Sequence, residues 1–165
     1  MKHTLSPLLH PIVPLWKYCL LAFVLTLVPA VALASGAYLL IAIAELDYPK
    51  SGASWSATML DFLGVVVFAP LVETWILSLM LRGLLKISDN HVMLAAVSAL
   101  VWGILHAMQS PIRLIPSSWS FFIFSCAFLG WRKHSYQKAF VAAVIPHSLL
   151  NLSLFLVVLA LEKAA

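Results

Sequence analysis

Charged side chains are scarce in this chain. They make up 10% of its 165 residues, whereas hydrophobic residues make up 63%. A soluble domain carries roughly a quarter charged residues, because its surface must be covered by polar groups. This chain has too few to cover itself in that way, so the composition excludes a soluble globular domain and predicts a surface that faces lipid.

Cysteines and several familiar catalytic motifs are also missing or few. The two cysteines, Cys19 and Cys126, fall inside apolar runs, so no disulfide framework is predicted. The chain contains no His-Glu-x-x-His, no Gly-x-Gly-Asp and no Gly-x-Ser-x-Gly sequence. These absences argue against a serine or an aspartyl intramembrane protease.

Five apolar runs account for most of the chain. They cover residues 18–43, 58–81, 92–108, 119–131 and 139–161. Because about 20 residues cross a bilayer core, we predict an all-α, polytopic transmembrane helical bundle of about five spans, in one integral membrane domain over residues 1–165. The fourth run is short, and the prolines at 111 and 116 are expected to break the chain before it. Whether residues 117–131 span fully or form a re-entrant segment is left open.

The first run has a second interpretation. Residues 31–35 resemble a signal-peptide cleavage site, but apolar residues continue well beyond the 7–15 expected of a signal peptide. We therefore favour a retained helix.

The net charge of +4 does not indicate a nucleic-acid partner, because the basic residues stand in small groups at the ends of apolar runs. Five spans place seven of them on one side, namely Lys2, Lys17, Arg82, Lys86, Arg132, Lys133 and Lys138. Lys50, Arg113 and Lys163 fall on the other side. The positive-inside rule then predicts a cytoplasmic N-terminus. The small size of the protein suggests a bacterial host, so the predicted location is the inner membrane.

A few polar residues lie inside the predicted spans, where an ionisable side chain is costly and marks a functional candidate. They are Glu73, His106 and His147, with Asn151 as a buried amide. His147 and Asn151 are four residues apart, so they share one helix face. Helical side chains lean toward their own N-terminus, which brings Glu73 and His106 on antiparallel helices toward each other near mid-membrane.

Proline residues precede two of these positions. Pro70 removes a backbone hydrogen bond just before Glu73 and is expected to free the carbonyl of Val66. Pro146 has the same relation to His147. Irregular backbone at this depth is tolerated where it lines a protein cavity.

The ordered set Glu73, Trp102-x-x-x-His106 and His147-x-x-x-Asn151 resembles the CPBP (type II CAAX-processing, or Abi) intramembrane proteases. The resemblance covers residues 58–157. The family pattern is Glu-Glu-x-x-x-Arg, then Phe-x-x-x-His, then His-x-x-x-Asn. This chain resembles a divergent member of the family, because its residues differ from that pattern in the first motif.

Two positions of its first motif depart from that pattern. Thr74 stands at the second glutamate and Ser78 at the arginine, and with Trp102 they are candidate supporting residues. Arg82 lies nine residues from Glu73, on the opposite side of a straight helix, and is interpreted as a cytoplasmic anchor.

The resemblance implies an intramembrane endopeptidase that cleaves a membrane-embedded protein or peptide. Glu73 would be the general base for a water that His106 helps to hold, and His147 and Asn151 would stabilise the oxyanion. No cofactor is expected to be required, although Glu73, His106 and His147 form a possible zinc ligand set.

Two alternatives come from other classes. The departures in the first motif favour a catalytically silent membrane protein that binds a partner, for example in immunity or secretion. A haem or metal bound by His106 and His147 is the other alternative, and an absorbance band would reveal it. The sequence predicts no particular oligomeric state.

Overall fold

The computed structural model describes residues 6–47 and 57–164. These residues form helices and no strand. In chain order the helices are α1 (Ser6–Leu9), α2 (Leu15–Ile43), α3 (Met59–Asp61), a π-helical segment (Phe62–Phe68), α4 (Ala69–Leu84), α5 (His91–Ala107), α6 (Leu114–Trp131) and α7 (Tyr136–Ala164). Lys2 and Lys50, which the charge asymmetry counts, lie outside the described residues.

Four stretches are long and apolar enough to cross a membrane: Leu15–Ile43, Met59–Leu84, Pro111–Trp131 and Tyr136–Ala164. The fifth apolar helix, α5, has 17 residues, which is at the lower limit for a span. The prediction of a polytopic helical bundle with about five spans is therefore confirmed, and the chain is a multi-pass membrane protein.

The fourth apolar stretch is longer than the sequence suggested. A 3₁₀ turn at Pro111–Arg113 leads directly into α6, which begins at Leu114 and includes Pro116 in its first turn. Proline is tolerated there because the first-turn N–H groups have no intrahelical partner. A break between α5 and the next helical stretch is present at residues 108–110, directly before Pro111. The expectation that Pro116 also breaks the chain was wrong, and the whole stretch Pro111–Trp131 is long enough to span.

Helix α6 forms the centre of the bundle. Almost every residue from Ser120 to Trp131 is buried, and α6 packs against α2, α5 and α7. Small side chains allow the close approach of α5, where the Ser125 hydroxyl donates to that of Ser98 at 2.9 Å. Because α6 is surrounded, its side chains form the floor against which residues of α5 and α7 are held.

A hydrogen bond at the proline of the first span connects α2 to α6. Pro29 lies inside α2 and has no N–H to donate to the carbonyl four residues earlier, that of Leu25. The indole N–H of Trp119 donates to this carbonyl oxygen at 2.9 Å. A side chain from another helix thus satisfies the group that the proline leaves unpaired.

Candidate active site

Three helices bring one carboxylate and two imidazoles together. Glu73 is on α4, His106 on α5 and His147 on α7. The Oε2 atom of Glu73 lies 3.5 Å from Nε2 of His147 and 4.0 Å from Nε2 of His106. The structure therefore brings together three of the four candidate residues, Glu73, His106 and His147.

The orientation of His106 is fixed by its own helix. Its Nδ1 lies 2.9 Å from the carbonyl oxygen of Trp102, one turn earlier. A carbonyl oxygen only accepts hydrogen bonds, so Nδ1 carries the proton in the neutral ring. The Nε2 atom that faces Glu73 is then an acceptor with a free lone pair.

His147 has the opposite tautomer. Its Nδ1 is buried and has no hydrogen-bond partner among the described residues. A buried N–H without an acceptor is costly, so the proton of the neutral ring is placed on Nε2, which faces Glu73. Glu73 thus has a donor on one side and an acceptor on the other.

Aromatic rings of α6 hold both histidines in place. The His147 ring stacks on Phe124, with centroids 4.7 Å apart, and meets Phe121 edge-on at 5.3 Å. Phe121 also contacts His106 at 5.2 Å and stacks on Trp102 at 4.5 Å. The sequence reasoning missed these two phenylalanines; their three-residue spacing on one face of an aromatic-rich run was the available signal.

The three polar side chains differ in exposure. Glu73 and His106 are 27% and 21% exposed, whereas His147 is only 4% exposed. The cluster is therefore closed on the side of α7 and accessible on the side of Glu73 and His106.

Asn151 contacts the backbone of the second span. Its Nδ2–H donates to the carbonyl oxygen of Val65 at 2.9 Å. The expectation that Pro70 frees the carbonyl of Val66 was wrong by one residue. At the end of the π-helical segment the N–H of Ala69 pairs with the carbonyl five residues earlier, that of Gly64. In the same register Pro70 lies opposite the Val65 carbonyl, and because proline has no N–H, this carbonyl receives no backbone donor from it.

Comparison with known families supports a family assignment. Residues 55–153 match the family model described as type II CAAX prenyl endopeptidase Rce1-like. The chain belongs to this family. No curated protein matches the chain, and no solved structure matches it.

The Rce1-like family is a family of proteases, and the first motif of this member is modified. Thr74 is buried, and the Ser78 hydroxyl donates to the carbonyl of Trp75 at 2.7 Å and lies 3.1 Å from the hydroxyl of Tyr136. Arg82 places its guanidinium 5.9 Å from the Tyr136 ring centroid. These contacts hold Arg82 and Ser78 to the start of α7.

The described residues contain no group of three or more His, Cys, Asp or Glu side chains arranged to hold a metal ion. Glu73, His106 and His147 are not among such groups, and no step of the chemistry below is assigned to a metal.

Proposed function

We propose that this Rce1-like protein is an intramembrane endopeptidase that hydrolyses a peptide bond of a membrane-associated protein or peptide with a water activated by Glu73. The observation that carries the proposal is the convergence of Glu73 with the imidazoles of His106 and His147 from three helices. Such convergence of titratable groups inside a membrane is costly and is retained at functional sites.

The two acceptors define where the attacking water is held. At 4.0 Å, Glu73 Oε2 and His106 Nε2 are too far apart for a direct hydrogen bond. A water beside them can donate one hydrogen to each, which leaves its oxygen lone pair free to attack a carbonyl. Glu73 takes the proton as the bond forms, in general base catalysis.

The negative charge that develops on the substrate carbonyl oxygen requires a donor. His147 Nε2–H is the candidate, because it lies beside Glu73, 3.5 Å from its Oε2 atom, and its ring is held by Phe124 and Phe121. Removing one such donor typically costs about 10²–10³ in rate. The resemblance gives Asn151 a similar role, although one of its N–H groups is already donated to Val65.

The catalytic contribution of His106 is tested by replacing it with phenylalanine. This substitution keeps an aromatic ring against Phe121 and Trp102 and removes the Nε2 acceptor. We expect cleavage of a co-expressed candidate membrane substrate to fall by about 10²-fold or more, with little change in the melting temperature. His134→Phe, at an exposed position beside Trp131, is the matched control. Equal cleavage by both variants would exclude a role for His106.

We also propose that the protein lies in the cytoplasmic membrane of a bacterial cell, with its N-terminus in the cytoplasm. Single cysteines replacing Lys133 and Asp47 test the orientation, because the native Cys19 and Cys126 are buried. An impermeant maleimide added outside intact cells should label the variant at 47 and spare the variant at 133. Labelling of only the variant at 133 would contradict the proposed orientation and indicate the opposite one.

A second candidate function is a silent family member that binds a membrane partner. Thr74 and Ser78 favour it, because they replace the second glutamate and the arginine of the family pattern. Under this alternative, His106→Phe leaves partner abundance unchanged in cells, since no bond is cleaved.

A further inference from the structure

The second span changes helical register directly before the candidate base. Residues Phe62–Phe68 form a π helix, and α4 begins at Ala69. Glu73 lies one turn into α4, so its direction depends on how this register change is held. A π-helical segment is intrinsically less favourable than an α helix and persists where other contacts stabilise it.

The contact that holds it here comes from α7. Pro70 has no N–H to give to Val65, and the amide of Asn151 donates to that carbonyl oxygen instead, at 2.9 Å. The chain uses the same device at Pro29, where Trp119 donates to the carbonyl of Leu25. The Val65 carbonyl lies eight residues before Glu73 in the same span. The Leu25 carbonyl lies in a different span from Glu73.

We propose that Asn151 is a positioning residue, which fixes the π-helical segment through the Val65 carbonyl and thereby aims Glu73 at His106 and His147. The inference rests on the proposed function for its catalytic consequence, but the link from Asn151 to Glu73 is structural. It differs from the oxyanion role, in which Asn151 touches the reacting oxygen.

The two roles differ in how they depend on residue 70. Replacing Pro70 with alanine supplies the missing N–H. If the π register persists, the new N–H of residue 70 can pair with Val65; if the segment becomes α-helical, the N–H of Ala69 pairs with it. Either way Val65 gains a backbone partner, so the Asn151 donor is no longer needed to satisfy that carbonyl. A change to the α register would in addition turn Glu73, and it would be seen as a loss of kcat in Pro70→Ala alone; with the π register kept, a positioning Asn151 becomes dispensable. An oxyanion donor would remain equally necessary.

The test is a double-mutant cycle on the full-length protein in detergent with Asn151→Leu, Pro70→Ala and both changes together. Leucine keeps the approximate volume of asparagine and removes the donor. We expect Asn151→Leu to lower the melting temperature by roughly 2–8 °C and to shift the ¹⁵N signals of the His106 ring, which lies on another helix. In the Pro70→Ala background both effects should largely disappear, as should the fall in kcat of Asn151→Leu, with KM little changed throughout.

Trp119→Phe and Pro29→Ala form the matched control cycle. Its melting temperatures should be coupled in the same way, and the His106 signals should stay in place. Additive effects of Asn151→Leu and Pro70→Ala on melting temperature or on the His106 signals would overturn the proposal. A coupled melting temperature with an undiminished loss of kcat would also overturn it, in favour of the oxyanion role. If wild-type protein cleaves no substrate, the proposed function fails, and the His106 signals still decide whether Asn151 positions Glu73.

Discussion

Replacing Glu73 with glutamine should lower the rate of cleavage by roughly 10²–10⁴-fold, the typical contribution of a general base, while the protein folds as before. Glutamine keeps the shape of the side chain and its capacity to hydrogen-bond His147. It cannot take a proton from water at any accessible pH. The measurement is the rate at which purified variant and wild-type proteins cleave a candidate membrane substrate, with melting temperatures recorded in the same detergent.

Glu162→Gln is the matched control. The carboxylate of Glu162 accepts a hydrogen bond from the backbone N–H of Ala57 near the end of α7, and it belongs to no part of the proposed mechanism. We expect this variant to cleave like the wild type. A well-folded Glu73→Gln variant with full cleavage would falsify the glutamate-base mechanism and favour the silent, partner-binding alternative.

The spans could be predicted because hydropathy reports the dominant constraint on this chain. In lipid every backbone polar group must be satisfied internally, so a long apolar run has helix as its main solution. The bounds of the fourth span were harder to predict from the sequence. Pro116 is expected to break a helix, and only the start of α6 at Leu114 shows that it lies in the first turn, where its missing N–H costs nothing.

The candidate site was partly predictable for a related reason. Glu73, His106 and His147 stand out because ionisable side chains are rare in spans, and their helix faces follow from residue spacing. The apolar wall of the site does not stand out. Phe121 and Phe124 lie among many similar side chains in α6, and only packing distinguishes the two that touch the histidines.

The register of the second span could not be predicted from its residues. The pattern suggested that Pro70 frees Val66, because an α helix was assumed on both sides of the proline. The π-helical segment moves the unpaired carbonyl to Val65, and the stabilising partner, Asn151, is 86 residues away in the sequence. A local pattern carries no information on a contact made by a helix so distant in the chain.

A tight contact between α5 and α6 depends on a glycine. A Cβ atom added at Gly103 would lie 1.9 Å from the Ser118 hydroxyl oxygen and 2.9 Å from the backbone oxygen of Leu114. The hydroxyl can rotate away, but the backbone oxygen cannot. A larger side chain at 103 must therefore move α5, and with it the stack of Trp102 on Phe121.

Gly103→Leu should accordingly cost roughly 3 kcal/mol, the upper part of the range for overpacked cores, and lower the melting temperature by roughly 6–12 °C. Cleavage should fall as well, because His106 is oriented by the carbonyl of Trp102 beside the displaced contact. Gly83→Leu is the control, since a Cβ at that position meets nothing within 4 Å. Ser118→Gly should restore part of the stability lost in Gly103→Ala, because it removes the hydroxyl and leaves only the Leu114 oxygen close. Equal melting temperatures for Gly103→Leu and Gly83→Leu would contradict the inference that a tight α5–α6 contact at Gly103 positions His106.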